Sequence, residues 1–186
     1  VFCNQYMKLF HKLHPDKQIY VISHLTEDSS LDSGIVDCVK RLVITEDLIN
    51  EYDQDGGFDI SEFQDSLLVV DDYDSISNIK IRTFIEEILN QALKIGRHFN
   101  LNLVITSHLL YSGGVSQKHS RIILSEANSF VLFPSRTTER SLKHLCSTYL
   151  GVDDKKIKAI RKMKDRYVVI NKCPALIIGQ YHAEIL

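Results

Sequence analysis

Two adjacent carboxylates, Asp71 and Asp72, close an unbroken aliphatic run from Leu67 to Val70. A second aliphatic run, Leu101 to Ile105, ends on Thr106-Ser107-His108, about 35 positions further on. His24 closes an earlier, β-branched run from Gln18. One carboxylate at the end of a buried strand can hold Mg²⁺ directly or through water, and its neighbour can orient or deprotonate an attacking water. Asp71 suits the first role and Asp72 the second. The hydroxyls of Thr106 and Ser107 and the imidazole of His108 are suited to sensing a terminal phosphate beside them.

Such a site needs a parallel sheet, because ligands of open α/β sheets bind outside the carboxyl ends of the strands. The sequence supplies one. Val1 to Leu13 has Phe2, Tyr6, Leu9, Phe10 and Leu13 at helical spacing and stops at His14-Pro15-Asp16. Gln18 to His24 reads as a buried strand, and Leu67 to Val70 as a strand buried on both faces. Between them, Ile35 to Ile44 and Glu46 to Tyr52 carry amphipathic patterns, and a short helix is expected around Ser61 to Ser66. Ile79, Ile81, Phe84, Ile85, Ile88, Leu89, Ala92, Leu93 and Ile95 follow a helical period that breaks at Gly96. Strand, helix and strand in that order imply a right-handed parallel crossover. Ser129 to Phe133 reads as a third strand of the same type. Glu139 to Tyr149 and Asp153 to Lys164 read as helices, and Arg166 to Asn171 with Ala175 to Tyr181 as an antiparallel hairpin.

Composition agrees with a packed domain. Apolar residues make up 44% and charged residues 25% of 186 positions, the balance of a globular chain and not of a disordered one. That length fits one unit, read as residues 1–186. No apolar run approaches the ~20 residues of a membrane-spanning helix, and Val1 to Met7 lacks a signal-peptide pattern. Cys3, Cys38, Cys146 and Cys173 lie far apart with no C-x-x-C pair, so they read as reduced thiols. His11 and His14 are the histidines at helical ligand spacing, and they read as solvated helix residues.

The net charge of −2 conceals segregation. Thr26 to Ser75 carries fifteen Asp and Glu against Lys40 and Arg41, while Arg136 to Lys172 carries eleven Lys and Arg against four acids. The basic stretch is suited to an anionic partner such as a nucleic acid, with Lys155, Lys158, Arg161 and Lys162 as the contacting residues. Glu51 to Glu62 matches several positions of a calcium-binding EF-hand loop, but its first position is Glu, the match is solitary, and little length remains for the exit helix.

An aliphatic run ending in two acids is the Walker B pattern of P-loop ATPases. LLVVDDYD (Leu67 to Asp74), NLNLVITSH (Asn100 to His108) and SRIILSEANSFVLFP (Ser120 to Pro134) resemble the genome-packaging ATPases of poxvirus-like and giant viruses, within the FtsK and HerA branch. VFCNQYMKLF, at the start, resembles the helix after their Walker A loop. The resemblance implies a three-layer α/β fold with a mainly parallel sheet and a carboxy-terminal hairpin. It also implies ATP hydrolysis that drives double-stranded DNA into a capsid through a homo-oligomeric ring, with capsid or portal vertex proteins as partners, in the virion or the infected host's cytoplasm.

Carried onto this sequence, the resemblance makes Asp71 the magnesium ligand, Asp72 the catalytic acid in place of the commoner Glu, and His108 the sensor. Thr106 and Ser107 would contact the nucleotide, and Arg121 would be an arginine finger for a neighbouring subunit. The departure from the pattern is the phosphate loop, since no G-x-x-x-x-G-K-[ST] occurs. The expected place for it is just before Val1, so residues 1–186 alone are expected not to hydrolyse ATP. Two other readings stay open. One is a degenerate ATPase-like structural or binding protein of a virion. The other is a phospho-receiver-like module, which would need a further Asp and a Lys that Val104 to Thr106 and Phe133 to Ser135 do not supply.

Overall fold

A computed structural model describes residues 2–23, 25–108, 117–179 and 183–185. The chain, read from its length as one unit, divides into two compact bodies, Val1–Leu109 and Leu110–Leu186.

The first body is a parallel sheet of four strands, β1 (Ile19–Ile22), β2 (Val39–Leu42), β3 (Leu67–Val70) and β4 (Asn102–Ile105), in the order β2-β1-β3-β4. Strand β3 sits inside the sheet, and all four of its side chains are fully buried, as an aliphatic run with no polar alternation requires. Its residues alternate between two faces. Leu67 and Val69 pack with Ile19 and Val21 against Met7 and Phe10 of α1 (Phe2–Leu13) and against Leu31 of α2 (Ser29–Asp32). Asn4 ties α1 to this corner by donating to the carbonyls of Leu31 and Ser33.

On the other face, Tyr20 stacks on Phe63, and the contacts run on through Phe58 to Phe84 of α4 (Ile79–Ile95) and to Tyr52 of α3 (Glu46–Gln54). Helices therefore cover both faces. Helix α4 starts where Asn78 accepts from the amides of Lys80 and Ile81, and it gives way after Ile95 to a tight turn, Gly96–Phe99. Asn100 then adopts a positive φ of 52° that swings the chain into β4.

The two edges of this sheet differ. Strand β2 carries Lys40 and Arg41, whereas β4, the other edge among the described residues, carries Asn102, Leu103, Val104 and Ile105 and no charge. The amides of Asn102 and Thr106 reach back to β3 at Ser66 and Val70, so those of Leu103 and Ile105 point away from it.

Strand β2 corrects the amphipathic reading of Ile35 to Ile44. A short turn at Val36–Cys38 leads into a strand whose charged residues are those of a solvent-facing edge. The segment around Ser61 to Ser66 forms a single tight turn, Ile60–Phe63.

The second body is an antiparallel sheet in the order β5-β6-β7-β8, formed by β5 (Ser129–Leu132), β6 (Val168–Asn171), β7 (Leu176–Ile178) and β8 (Ala183–Ile185). The strand expected at Ser129 to Phe133 is present as β5, but unlike those of the first body it pairs antiparallel, with β6. The hairpin of β6 and β7 is as expected, apart from Gln180 and Tyr181, which lie outside the described residues. Helices α5 (Gln117–Glu126), α6 (Glu139–His144) and α7 (Asp154–Lys162) bury Leu124, Leu142, Ile157 and Ile160 with Phe130, Leu132, Val168 and Ile170. After α6 the chain widens into one π-type turn, Leu145–Tyr149. Lys172 donates to the carbonyls of Leu124 and Ser125 at the end of α5 and lies over the Phe130 ring.

Candidate functional site

The site is built where β3 and β4 end side by side. Asp71 still belongs to the ladder, since its amide donates to the carbonyl of Ile22. Asp72 leaves it, with φ 48° and ψ 39°, a left-handed conformation that Asp tolerates better than most residues. That twist turns the Asp72 amide towards Thr106, whose hydroxyl oxygen accepts it at 2.8 Å. The same hydroxyl is 2.6 Å from Asp71 Oδ1 and 3.2 Å from Asp72 Oδ1. Having one proton, it donates to Asp71 at the shorter distance. One Thr side chain thus fixes both acids.

The residues after Thr106 are tied down as well. His108 Nε2 lies 3.0 Å from Asp72 Oδ2, so the imidazole faces the acid directly. Ser107 donates to Asp74 Oδ2 at 2.8 Å, and the His108 amide lies 3.4 Å from Asp74 Oδ1. Asp74 stands in the short turn Tyr73–Ser75, anchored by the buried Tyr73 ring.

Burial raises the Asp71 pKa above the ordinary carboxylate value. The Thr106 bond opposes the shift, Asp72 and Asp28 add to it, and Arg41 lowers it. Cys3, in the first turn of α1, reports the same field: burial and the Asp71 carboxylate push its thiol up to about 11. A raised folded-state pKa means that ionising Asp71 costs stability, a cost absent below the unfolded carboxylate value and complete above the folded one. Asp71→Asn keeps an acceptor for Thr106 and removes that cost. The variant is expected to melt above the wild type at pH 7, with the advantage vanishing as pH falls below the carboxylate range. Thermal unfolding followed across pH checks this, and a variant less stable than wild type at pH 7 contradicts it.

Asp71, Asp72, Thr106, Ser107 and His108 are therefore brought together, while His24 lies outside the described residues. Arg121 on α5 and Lys155, Lys158, Arg161 and Lys162 on α7 belong to the second body. Arg161 is engaged by Glu139 at 2.7 Å. Lys155, Lys158 and Lys162 are exposed at helical positions i, i+3 and i+7 and share one face of α7, with no ion pair among the described residues. Asp74 escaped sequence reasoning although it sits in the same acidic string. Its signal is the spacing: three residues beyond Asp71 it falls in the turn that faces the β4 loop.

No described cluster of three or more His, Cys, Asp or Glu could hold a metal ion unaided. The donor set of Asp71 and Asp72 instead suits an ion that shares its coordination with phosphate oxygens. The EF-hand match is not formed, because α3 runs through Glu51 and Asp53 to Gln54 and Glu62 accepts from the Tyr52 phenol. His11, read as solvated, is partly buried, and its Nδ1 is buried with no hydrogen-bond partner among the described residues.

The genome packaging NTPase B204 of Sulfolobus turreted icosahedral virus 2, solved in complex with AMP, matches 94% of this chain and 86% of its own, with a TM-score of 0.57 and 14% identity. The fold of this chain is similar to that of this NTPase. In sequence, the chain is 29% identical over 177 residues to the uncharacterized protein V3 of the Sputnik virophage, covering 95% of this chain and 67% of the relative. No protein-family model matches the chain. No helix among the described residues is long and apolar enough to cross a membrane.

Proposed function

We propose that the protein is the ATPase core of a viral genome-packaging motor, of the FtsK-HerA branch, which moves double-stranded DNA into a capsid as a homo-oligomeric ring. The convergence of Asp71, Asp72, Thr106 and His108 at the carboxyl ends of two adjacent parallel strands carries the reading. ATP would lie over this edge. Bound with the nucleotide's phosphates, Mg²⁺ would supply charge neutralisation, with Asp71 as its carboxylate. Asp72 receives the proton of the attacking water. His108 reports the γ-phosphate, Thr106 and Ser107 hold the loop beneath it, and Arg121 serves a neighbouring subunit.

The phosphate loop, on this reading, precedes Val1. The packing of Cys3, in the first turn of α1, against the core that holds Leu67 and Val69 favours it, because it sets the amino end of α1 on the sheet whose strands deliver the carboxylates. The packaging NTPase that shares the fold was solved in complex with AMP, which agrees with a nucleotide as the ligand of this edge. DNA is gripped through phosphates by Lys155, Lys158 and Lys162, which form a stripe, and less by Arg161, whose charge Glu139 already meets.

The test is ATP turnover by the full-length protein, with and without double-stranded DNA, beside a Lys155→Glu, Lys158→Glu, Lys162→Glu triple variant. DNA is expected to stimulate turnover in the wild type. The triple variant retains basal turnover, loses most of the stimulation, and shows a salt dependence of DNA binding shallower by roughly 0.9 for each phosphate it no longer neutralises. A full-length protein that neither binds nor hydrolyses ATP ends the motor reading and leaves a structural protein on an ATPase-like fold.

A further inference from the structure

We infer that Asp74 is a positioning residue that sets His108 against the reacting acid, by clamping the loop after β4 to the turn after β3. The geometry is two-pronged. Asp74 Oδ2 takes the Ser107 hydroxyl at 2.8 Å, and Oδ1 faces the His108 amide at 3.4 Å. One carboxylate thereby holds two consecutive residues of the loop, and the second carries the imidazole that meets Asp72 Oδ2 at 3.0 Å.

Thr106 alone does not fix that imidazole. Its amide and hydroxyl pin the start of the loop to Val70, Asp71 and Asp72, but two rotatable backbone units separate it from the His108 ring. The His108 side chain is 73% exposed, so packing does not restrain it either. Beyond the contact of the ring with Asp72, the hold on the loop backbone that carries it is, among the described residues, the Asp74 carboxylate. Asp74 itself is rigidly placed: Tyr73 beside it is buried, and the Ser75 amide and hydroxyl both close on the Asp72 carbonyl, which fixes the turn. The turn is therefore a fixed arm on which Asp74 reaches across to the neighbouring strand's loop.

The catalytic consequence rests on the nucleotide reading. A histidine that senses a terminal phosphate must be within reach of both the phosphate and Asp72, and a displacement of about 1 Å at such a group can cost on the order of a hundredfold in rate. Asp74 touches neither nucleotide nor the reacting atoms on this reading, and it acts through Ser107 and the His108 backbone.

The experiment uses the full-length protein with Asp74→Ala, Asp74→Asn and Ser107→Ala, each measured for ATP turnover and for amide hydrogen exchange at His108. In Asp74→Ala, kcat is expected to fall by at least roughly tenfold with KM within about twofold, and exchange at the His108 amide to rise by roughly tenfold, as losing bonds to a charged acceptor implies. Asp74→Asn keeps one acceptor oxygen and should recover part of both. Ser107→Ala should lower kcat in the same sense, and adding it to Asp74→Ala should cost little more, because both remove the same clamp.

An unchanged kcat in Asp74→Ala overturns the inference. So does a fall in kcat that is matched by a rise in KM and by a drop in melting temperature, the pattern of a purely structural residue. If the wild type shows no turnover at all while His108 exchange still rises in Asp74→Ala, the clamp stands and the nucleotide reading is what fails.

Discussion

Asp72→Asn is expected to lower ATP turnover of the full-length protein by about 10³-fold while leaving nucleotide affinity nearly unchanged. Removing a positioned general base typically costs 10²–10⁴-fold, about 4 kcal/mol of transition-state stabilisation at the middle of that range. The substitution is mild in every other respect. Asn accepts the left-handed backbone that Asp72 adopts, its amide still reaches the Thr106 hydroxyl, and its side-chain oxygen can still face His108. Its fold and its Asp71 ligand should therefore survive. Turnover within tenfold of the wild type would show that another group takes the proton. A parallel loss of ATP binding would show that Asp72 belongs to the metal site instead.

Leu68→Ala should be the most damaging of the simple core truncations, at about 3 kcal/mol within the 2–5 kcal/mol range of such changes. Leu68 has no exposed surface, lies on an interior strand with neighbours on both sides, and faces away from the cluster that holds Leu67 and Val69. The cavity it leaves lies between the in-register side chains of Tyr20 and Leu103, which the sheet's hydrogen bonds hold in place, and cannot collapse easily. Against a total stability of roughly 5–15 kcal/mol, the loss is a large fraction. Urea unfolding measures it as a shift in midpoint at nearly constant slope. Ile178→Ala, at a side chain 40% exposed on β7, serves as the comparison and should cost less than about 1 kcal/mol. Equal costs at the two positions would mean that β3 is not the centre of its sheet.

Much of the first body is legible in the chain itself. The run Leu67 to Val70 has no polar residue to alternate with, so only a strand covered on both faces accommodates it, and the period from Ile79 to Ile95 supplies the crossover helix. With the aliphatic run Leu101 to Ile105 that follows, they place Asp71, Asp72 and Thr106 on one edge. Strand β2 escaped because Val39-Lys40-Arg41-Leu42 is an edge strand, half-exposed and charged, and neither the alternating nor the continuous template describes it. The pairing of β5 was illegible for a different reason. Ser129 to Leu132 shows the same aliphatic signature as a parallel strand, and nothing local specifies that its partner is Val168 to Asn171, far along the chain and running the other way. In the site, strand ends were visible but the turn beyond them was not, because the tight turn that brings Asp74 opposite Ser107 depends on the left-handed twist at Asp72.

The unlike edges of the parallel sheet bear on how the polypeptide behaves at high concentration. Lys40 and Arg41 on β2 repel an incoming strand, whereas along β4 the amides of Leu103 and Ile105 face outward beside uncharged side chains. Edge-to-edge aggregation is thus polarised. Within the first body, the β4 edge is therefore the one whose backbone admits a further strand and β2 the one that resists it, so a charge placed among Asn102 to Ile105 is the change that evens the two edges.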